Sequence, residues 1–480
     1  MTQITHVMIA ALLMAANALA QTPAPAPARV PMDPFPKPIA ATDGVVKVSF
    51  SEFAAIPDIA GEAARMMLLV DEPGSRRMFV NDMRGPLYSL SYDGKTVTQY
   101  LDLRAVSWGV NVQSAGRERG FQSFAFHPQF NRRGTPGYGK FYTLTDTSNT
   151  APKADFVPGG GDHTHDTVLL EWTAKNPAAA TFDGGAPREL IRFEQPFANH
   201  NAGLLSFNPL ATTGSPDFGL LYIGFADGGS GGDPLNMAQN RGSAFGKILR
   251  IDPRGSNSAN GKYGVPTNNP FASDGDAATL GEIFAIGMRN PQRFTWDSKN
   301  GNMFVADIGQ GNVEKISLVK AGANLGWNKW EGSFPFVSRA EVSLANQRGD
   351  REVTFPIAEY DHADPILQSR TSVTVGYVYR QKAIAQLANL LLFGDIPSGE
   401  VFYLNADNLP KGGQDGIRRI LFNAGGASRT LLQLIQEKNI QQGKQAAVRA
   451  DLRFGMGPDG QILVLNKADG VVRLLIPDRP

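Results

Sequence analysis

Residues 303–319 read MFVADIGQGNVEKISLV. Apolar and polar residues alternate with a period of two on both sides of a polar turn that contains glycine, which is the pattern of a half-buried β-hairpin. The form returns along the chain as MFVNDMRGPLYSLSYDG at 78–94, LLFGDIPSGEVFYLN at 391–405 and ILVLNKADGVVRLLI at 462–476. GLLYIGFADGGSGGD, at 219–233, opens in the same way before its turn expands. Regular hairpins over most of the chain predict an all-β fold. Radial repetition of small sheets, which leaves few exposed edges, makes that fold a β-propeller. Dividing the length by a usual blade with its loops gives about six blades. The competing arrangement is two β-sandwich domains, but no internal Pro/Ser linker marks a boundary, so residues 41–480 read as one domain. Helical periodicity is confined mainly to RTLLQLIQEKNIQQGKQAAV at 429–448.

The composition narrows the function. Over 480 residues the formal net charge is +1, so there is no electrostatic case for nucleic acid. There are 52 glycines and 32 prolines, and charged residues make up 19% of the chain, a turn-rich, compact composition. The absence of cysteine excludes disulfides, thiolate metal sites, cysteine nucleophiles and iron–sulfur clusters. Residues 1–20 carry an apolar run that ends in Ala18-Leu19-Ala20, an A-x-A pattern. This predicts a secretory signal cleaved near Ala20 and a periplasmic or secreted protein, although no Lys or Arg precedes the run. A membrane anchor is the competing reading, and the run is short for a span. Residues 21–40 are rich in proline and alanine and read as an extended tether.

Residues 227–253, DGGSGGDPLNMAQNRGSAFGKILRIDP, raise the question of what a glycine-rich loop holds. A phosphate is the first expectation, but GSAFGKI is one residue short of the P-loop pattern and Ile248 stands where Ser or Thr would meet magnesium. Other loops carry chemistry-bearing residues. Glu118 lies in GRERGFQSFAFHPQF, His200 in FANHNAGLLSFNP, Arg289 and Asn290 in AIGMRNPQRFTWD, and Gly309, Gln310 and Glu314 in the stretch that begins ADIGQG. Read alone, His200 is either a proton-transfer group beside a small turn or a hydrogen-bonded cap. Asp227 is its orienting partner or a turn residue. Arg289 neutralises an anion or joins a surface ion pair. His163, His165 and Asp166 in GDHTHD are conceivable metal ligands, more simply a plain loop. His127, bracketed by phenylalanines, reads as structural, and His362 is undetermined. Neither a G-x-S-x-G elbow nor HExxH occurs, which argues against the familiar serine and zinc hydrolases.

ERGFQSFAFHPQF, NHNAGLLSF, the 227–253 loop, GEIFAIGMRNPQRFTWD, VADIGQGNVEKISLVKAGANLGWNKWEG and SVTVGYVYR follow one another in this order. Together they resemble the glucose/sorbosone dehydrogenase family, soluble aldose sugar dehydrogenases that use pyrroloquinoline quinone (PQQ). The likeness runs from about Met67 to the C-terminus. It implies a six-bladed propeller that oxidises the anomeric hydroxyl of an aldose to a lactone and passes electrons on to an acceptor such as a quinone or cytochrome. By resemblance His200 is the general base, Asp227 its orienting carboxylate, and Arg289 the cation beside the quinone oxygen. Asn290 and Glu118 are further cofactor contacts. Gly309 and Gln310 offer backbone carbonyls to a calcium ion, with Glu314 and the backbone of Leu325 as further contacts and Asp233 as another candidate.

The chain departs from the family pattern at several points. No lysine occurs in Asp395-Ile396-Pro397-Ser398, and Arg449 and Arg453 are separated by three residues instead of one. Val375 replaces a usual glycine, and GFADGG stands for GDGG. These changes bear on cofactor grip and leave His200, Asp227 and Arg289 in place. Two other functions fit the same fold: a non-catalytic propeller that binds carbohydrate or protein, and, by analogy of fold alone, a calcium-dependent lactone hydrolase.

Overall fold

The computed structural model describes residues 32–72, 74–150, 152–201, 203–367 and 371–478. The expected signal and the first part of the tether lie outside the described residues. Among the described residues the chain is all-β: its main strands form six antiparallel groups of four, called sheets below, of which the first, fifth and sixth join through parallel pairs into one 13-stranded sheet, and a small three-stranded sheet stands apart. The first sheet comprises Met66–Glu72, Arg77–Asp82, Pro86–Ser91 and Val97–Asp102. The second comprises Phe121–Phe126, Lys140–Thr147, His165–Thr173 and Arg188–Gln195. The third comprises Leu205–Phe207, Leu221–Phe225, Lys247–Ile251 and Ile283–Ile286. The fourth comprises Arg293–Trp296, Met303–Asp307, Val313–Val319 and Ala358–Asp361. The fifth comprises Val373–Tyr379, Leu390–Asp395, Val401–Asn405 and Arg418–Ala424.

The sixth sheet takes Arg453–Met456, Ile462–Leu465 and Val471–Ile476 from the end of the described chain. Its fourth strand is Val46–Ala55, from the beginning, which pairs antiparallel with Val471–Ile476. The two ends of the sheet order are thereby joined by a ladder of backbone hydrogen bonds. The repeat in the sequence has a structural meaning. The stretches beginning at Met78, Met303, Leu391 and Ile462 are each the hairpin from second to third strand of its sheet.

Apolar side chains fill the space between consecutive sheets. Met78 and Val80 of the first sheet meet Leu463 and Leu465 of the sixth. Phe79 and Tyr100 of the first meet Phe141 and Trp172 of the second. Phe193 of the second stacks on Phe225 of the third at 4.1 Å. Tyr222 of the third meets Trp296 of the fourth. Phe304 and Tyr360 pack with Phe393 and Phe402 between the fourth and fifth sheets, and Leu392 with Phe454 and Val464 between the fifth and sixth. Successive side chains of a strand point to opposite neighbours, so the strands are buried on both faces, as Met303–Asp307 and Leu390–Asp395 are at every residue, and not half-buried as expected from the sequence.

The stretch 429–448 forms a helix only over Leu431–Gln441. Thr430 and Gln433 cap its start reciprocally, and Gly443, at a positive φ of 70°, follows its end. The last part of the expected tether is docked: Ile39 is buried and its N–H donates to Asp364 Oδ2 at 2.7 Å. Phe35 meets Phe334 edge-on, and Lys37 accepts from Gln414 Nε2. Among the described residues no helix is long and apolar enough to cross a membrane.

Candidate functional site

In five sheets an aspartate stands at or just past the end of the second strand: Asp82, Asp146, Asp227, Asp307 and Asp395. In four of them its carboxylate accepts backbone N–H groups from the segment that enters the first strand. Asp82 takes Arg65, Asp146 takes Gly120, Asp307 takes both Arg289 and Asn290, and Asp395 takes Ser372. The repeated aspartate therefore ties each entering segment to its own sheet. The third sheet departs from this: there Asp227 Oδ1 meets a side chain, His200 Nδ1, at 2.6 Å. A structural position of the repeat has become a histidine–carboxylate pair.

This end of the sheets, where first strands begin and second strands end, encloses a cavity of about 290 Å³. Glu118, His200, Arg289, Asn290, Gly309 and Gln310, all expected at the site, line it together. Asp227 stands behind His200, fully buried. Its Oδ2 accepts from Trp327 Nε1 at 2.8 Å and its Oδ1 from the Gly229 N–H at 3.0 Å. Burial pushes the Asp227 carboxyl up, but the His200 ring, Arg289 and the Gly229 N–H outweigh it and hold the carboxyl below its ordinary value. An ionised acceptor at Nδ1 makes that nitrogen the donor and leaves Nε2 the free base.

His200 has a φ of 58°, a left-handed conformation uncommon for histidine. Its N–H donates to Glu118 Oε2 at 2.8 Å. Glu118 thus anchors the backbone that carries the imidazole as well as lining the cavity. Arg289 donates to Ile308 O and Gln310 Oε1 and lies over the Trp327 ring at 6.0 Å. These partners are neutral, and the guanidinium charge is left for a ligand. Asn290 Oδ1 is buried without a hydrogen-bond donor among the described residues. Arg117, Arg449, Arg453 and Lys467 add positive charge to the lining, against Asp451 and Glu118. The two arginines whose spacing departs from the family pattern both face the cavity, and Lys467 comes from the second-to-third turn of the sixth sheet. Lys467, Trp327 and Arg117 had no signal in the sequence beyond lying in loops at this end of the hairpins.

The other candidates are dispersed. His165 lies within the second sheet, where Nε2 meets Asn201 Nδ2 at 2.8 Å and burial pushes the imidazole down to about 3. His163 faces Glu194, and Asp166 pairs with Arg192. His127 is held neutral by burial, at about 4, beside Phe207 and Phe218. His362 does line the cavity, with Nε2 2.8 Å from Glu314 Oε1.

The expected calcium contacts fit unevenly. Glu314 and Leu325 are not among the residues that line the cavity. Glu314 Oε2 accepts the N–H groups of Gly309 and Val373, while Oε1 meets His362 Nε2 and Thr371 Oγ1. Glu314 is thus held by four contacts within the chain and stands outside the cavity lining. Leu325 is buried with its N–H on Ile286 O. Asp233 accepts the Met237 and Ala238 N–H groups, one on each oxygen, and it too is outside the lining. Of the expected contacts, only Gly309 and Gln310 border the cavity. Among the described residues no group of three His, Asp or Glu side chains gathers around one point.

The glycine-rich loop does hold an ion, but one from its own chain. Lys247 Nζ donates to the carbonyls of Met237, Ala238 and Phe245 at 2.8, 2.9 and 2.7 Å. Replacing Lys247 with Met removes a donor from all three carbonyls; Met237 O and Ala238 O keep the N–H groups of Asn240 and Gly287, so the expected cost is about 1–3 kcal/mol, read as a lower urea midpoint at unchanged slope.

A family model described as Glucose / Sorbosone dehydrogenase matches residues 65–473. HIPL1 protein of Arabidopsis thaliana is 28% identical over 370 residues, 70% of this chain and 51% of that protein. Hedgehog-interacting protein of Homo sapiens is 27% identical over 226 residues, 47% of this chain and 29% of that protein. The chain thus spans about half the length of HIPL1 protein, and less of the second relative. Among solved structures, the soluble aldose sugar dehydrogenase of Escherichia coli in its apo form is similar with a TM-score of 0.59 at 16% identity, covering 89% of this chain and 99% of that one. The PQQ-bound aldose sugar dehydrogenase of Streptomyces coelicolor is similar with a TM-score of 0.52 at 17% identity, covering 88% and 99%. At these identities the likeness is one of fold.

Proposed function

From the premise that this chain belongs to the glucose/sorbosone dehydrogenase family, we propose that it is an exported PQQ-dependent dehydrogenase that oxidises the anomeric hydroxyl of an aldose to a lactone. The observation that carries the reading is the His200–Asp227 pair opening, beside Arg289, onto a cavity lined by five cationic side chains. PQQ is a planar quinone with three carboxylates, and the cationic lining, Arg289 included, suits such a group. The six-bladed propeller belongs to the same proposal. Its support is six antiparallel groups of four strands, three of them joined through parallel pairs into one 13-stranded sheet, with an apolar layer between each consecutive pair of groups, the sixth and first included. Export rests on residues 1–20.

The residues divide the chemistry among themselves. His200 Nε2 accepts the proton of the sugar hydroxyl, and the ionised Asp227 stabilises the imidazolium that results. Trp327 Nε1 and the Gly229 N–H hold Asp227 in one orientation. Glu118 fixes the His200 backbone, so that the ring enters the cavity along one direction. Arg289 presents positive charge where negative charge develops. PQQ, when bound, supplies the two-electron acceptor. The carbonyls of Gly309 and Gln310 would be the oxygens offered to calcium. The electron acceptor downstream is a quinone or a cytochrome.

The similarity to Hedgehog-interacting protein supports a second reading, a propeller that binds a protein partner without turnover. Titrating the protein with PQQ and calcium, then adding aldoses with an artificial electron acceptor, separates the two. The dehydrogenase reading expects saturation near one equivalent and sugar-dependent dye reduction. Absence of both leaves the binding propeller.

A further inference from the structure

Away from the cavity, the buried arginines pair with carboxylates: Arg192 meets Asp166 at 2.8 Å, Arg473 meets Asp469 at 2.6 Å and Arg250 meets Asp217 at 3.3 Å. One wall of the cavity differs. Arg453 donates through Nη1 to Leu452 O and through Nη2 to Gln292 Oε1, and its Nε is buried with no partner among the described residues. Arg293, directly behind, donates to Gln292 O and Met67 O. Lys467 Nζ donates to Arg117 O at 3.2 Å and lies 3.3 Å from Met83 Sδ. Every one of these acceptors is neutral. Asp451, the carboxylate beside them in sequence, bonds Arg449 at 2.5 Å and attracts Lys467 and Arg453 without a hydrogen bond to either, so one carboxylate faces several cations.

Gathering three cations on neutral acceptors is costly. Burial, and then the neighbouring Arg453, lowers the Arg293 guanidinium to about 9; burial lowers Arg453 to about 10 and brings the Lys467 ammonium well below its ordinary value. A fold that could have placed a carboxylate here, as it does elsewhere, keeps the charge open instead.

We propose that Lys467 and Arg453 form an oxyanion site in the cavity wall that takes one carboxylate of a polyanionic cofactor, with Arg293 reinforcing the positive potential from behind. The identity of the cofactor as PQQ rests on the function proposed above; the oxyanion site does not.

The test uses the purified full chain free of ligand, as wild type and as Lys467→Met, Lys467→Arg and Arg453→Met. Affinity for PQQ and for its trimethyl ester is followed by quinone absorbance, and melting temperature is followed with and without citrate. Each methionine variant is expected to weaken PQQ about 10–100-fold and to leave the ester unchanged, while Lys467→Arg stays within a few-fold of wild type. Ligand-free Lys467→Met should melt at or above the wild-type temperature, because it removes a cation that burial and the neighbouring arginines disfavour more than Asp451 favours it; a lysine with a structural role would lower it. If wild type binds PQQ and neither methionine variant weakens it, the oxyanion site is wrong and the PQQ reading survives. If PQQ fails to bind wild type but citrate raises its melting temperature and not that of Lys467→Met, the site stands and the PQQ reading falls. If neither anion has any effect, the site is overturned.

Discussion

Replacing His200 with asparagine is expected to lower kcat for aldose oxidation by about 10²–10⁴ while PQQ affinity stays within a few-fold. Asparagine is the informative choice because of the backbone. At a φ of 58°, alanine adds left-handed strain of about 1 kcal/mol to the loss of the ring, which confuses misfolding with lost chemistry. Asparagine tolerates that conformation, keeps the N–H that bonds Glu118, and can donate to Asp227, but it cannot accept a proton. Steady-state dye reduction together with a PQQ titration reads the two effects apart. Lost PQQ binding with kcat unchanged would remove His200 from the proton step and make it a cofactor contact only.

Glu331→Gln should produce the largest loss of stability, about 3–5 kcal/mol. A single oxygen of this fully buried carboxylate accepts four consecutive N–H groups, those of Gln310, Gly311, Asn312 and Val313, at 2.8, 2.9, 2.8 and 3.0 Å. Asn312 Nδ2 donates to the other oxygen at 3.2 Å. The carboxylate comes from a small three-stranded excursion that begins at Trp330–Glu331, between the third and fourth strands of the fourth sheet. It fills a concave nest of amides that would otherwise attract an anion from outside. Glutamine keeps the shape but brings no charge, and its amide group opposes donors on one side or the other. Because Gln310 borders the cavity, the variant should also weaken PQQ.

The pH dependence follows from the same carboxylate. Burial pushes the Glu331 carboxyl up, but the Lys315 ammonium and the ring of N–H donors outweigh it and leave the carboxyl below its ordinary 4.5. A depressed folded value means that the stabilisation is present in full above about pH 5 and fades as pH falls through the folded value. Urea unfolding at pH 7 and at pH 4 should therefore show the gap between wild type and Glu331→Gln narrowing in acid. A loss below about 1 kcal/mol at pH 7 would mean that the amides find other acceptors.

The hairpins were legible because turn residues separate short, largely apolar strands. The catalytic candidates were legible for a related reason: His200, Asp227 and Arg289 sit at the two places, before first strands and after second strands, where the repeat turns toward the cavity. The phrases FVND, FVAD, LFGD and GFAD spell the repeated aspartate itself, and only the partners reveal that Asp227 meets an imidazole where Asp82, Asp307 and Asp395 accept the backbone of the entering segment. Other features were out of reach. Glu331 and Lys467 act on residues far from them in sequence, Glu331 on the turn and strand start at Gln310–Val313 and Lys467 on Arg117, so spacing says nothing of either. Glu314 was expected as a calcium contact by resemblance to the family; its oxygens meet Gly309, Val373, Thr371 and His362, three of which come from farther along the chain.

The central claim is that sugar-derived electrons enter this cavity with His200 as the base. Mixing the PQQ-loaded protein anaerobically with one aldose at a time, with no external acceptor, isolates that step. The account predicts that at least one aldose changes the quinone absorbance by one equivalent per protein, quickly in wild type and about 10²–10⁴ times more slowly in His200→Asn. A bound quinone whose absorbance no aldose alters, or alters at the same rate in both proteins, would contradict it.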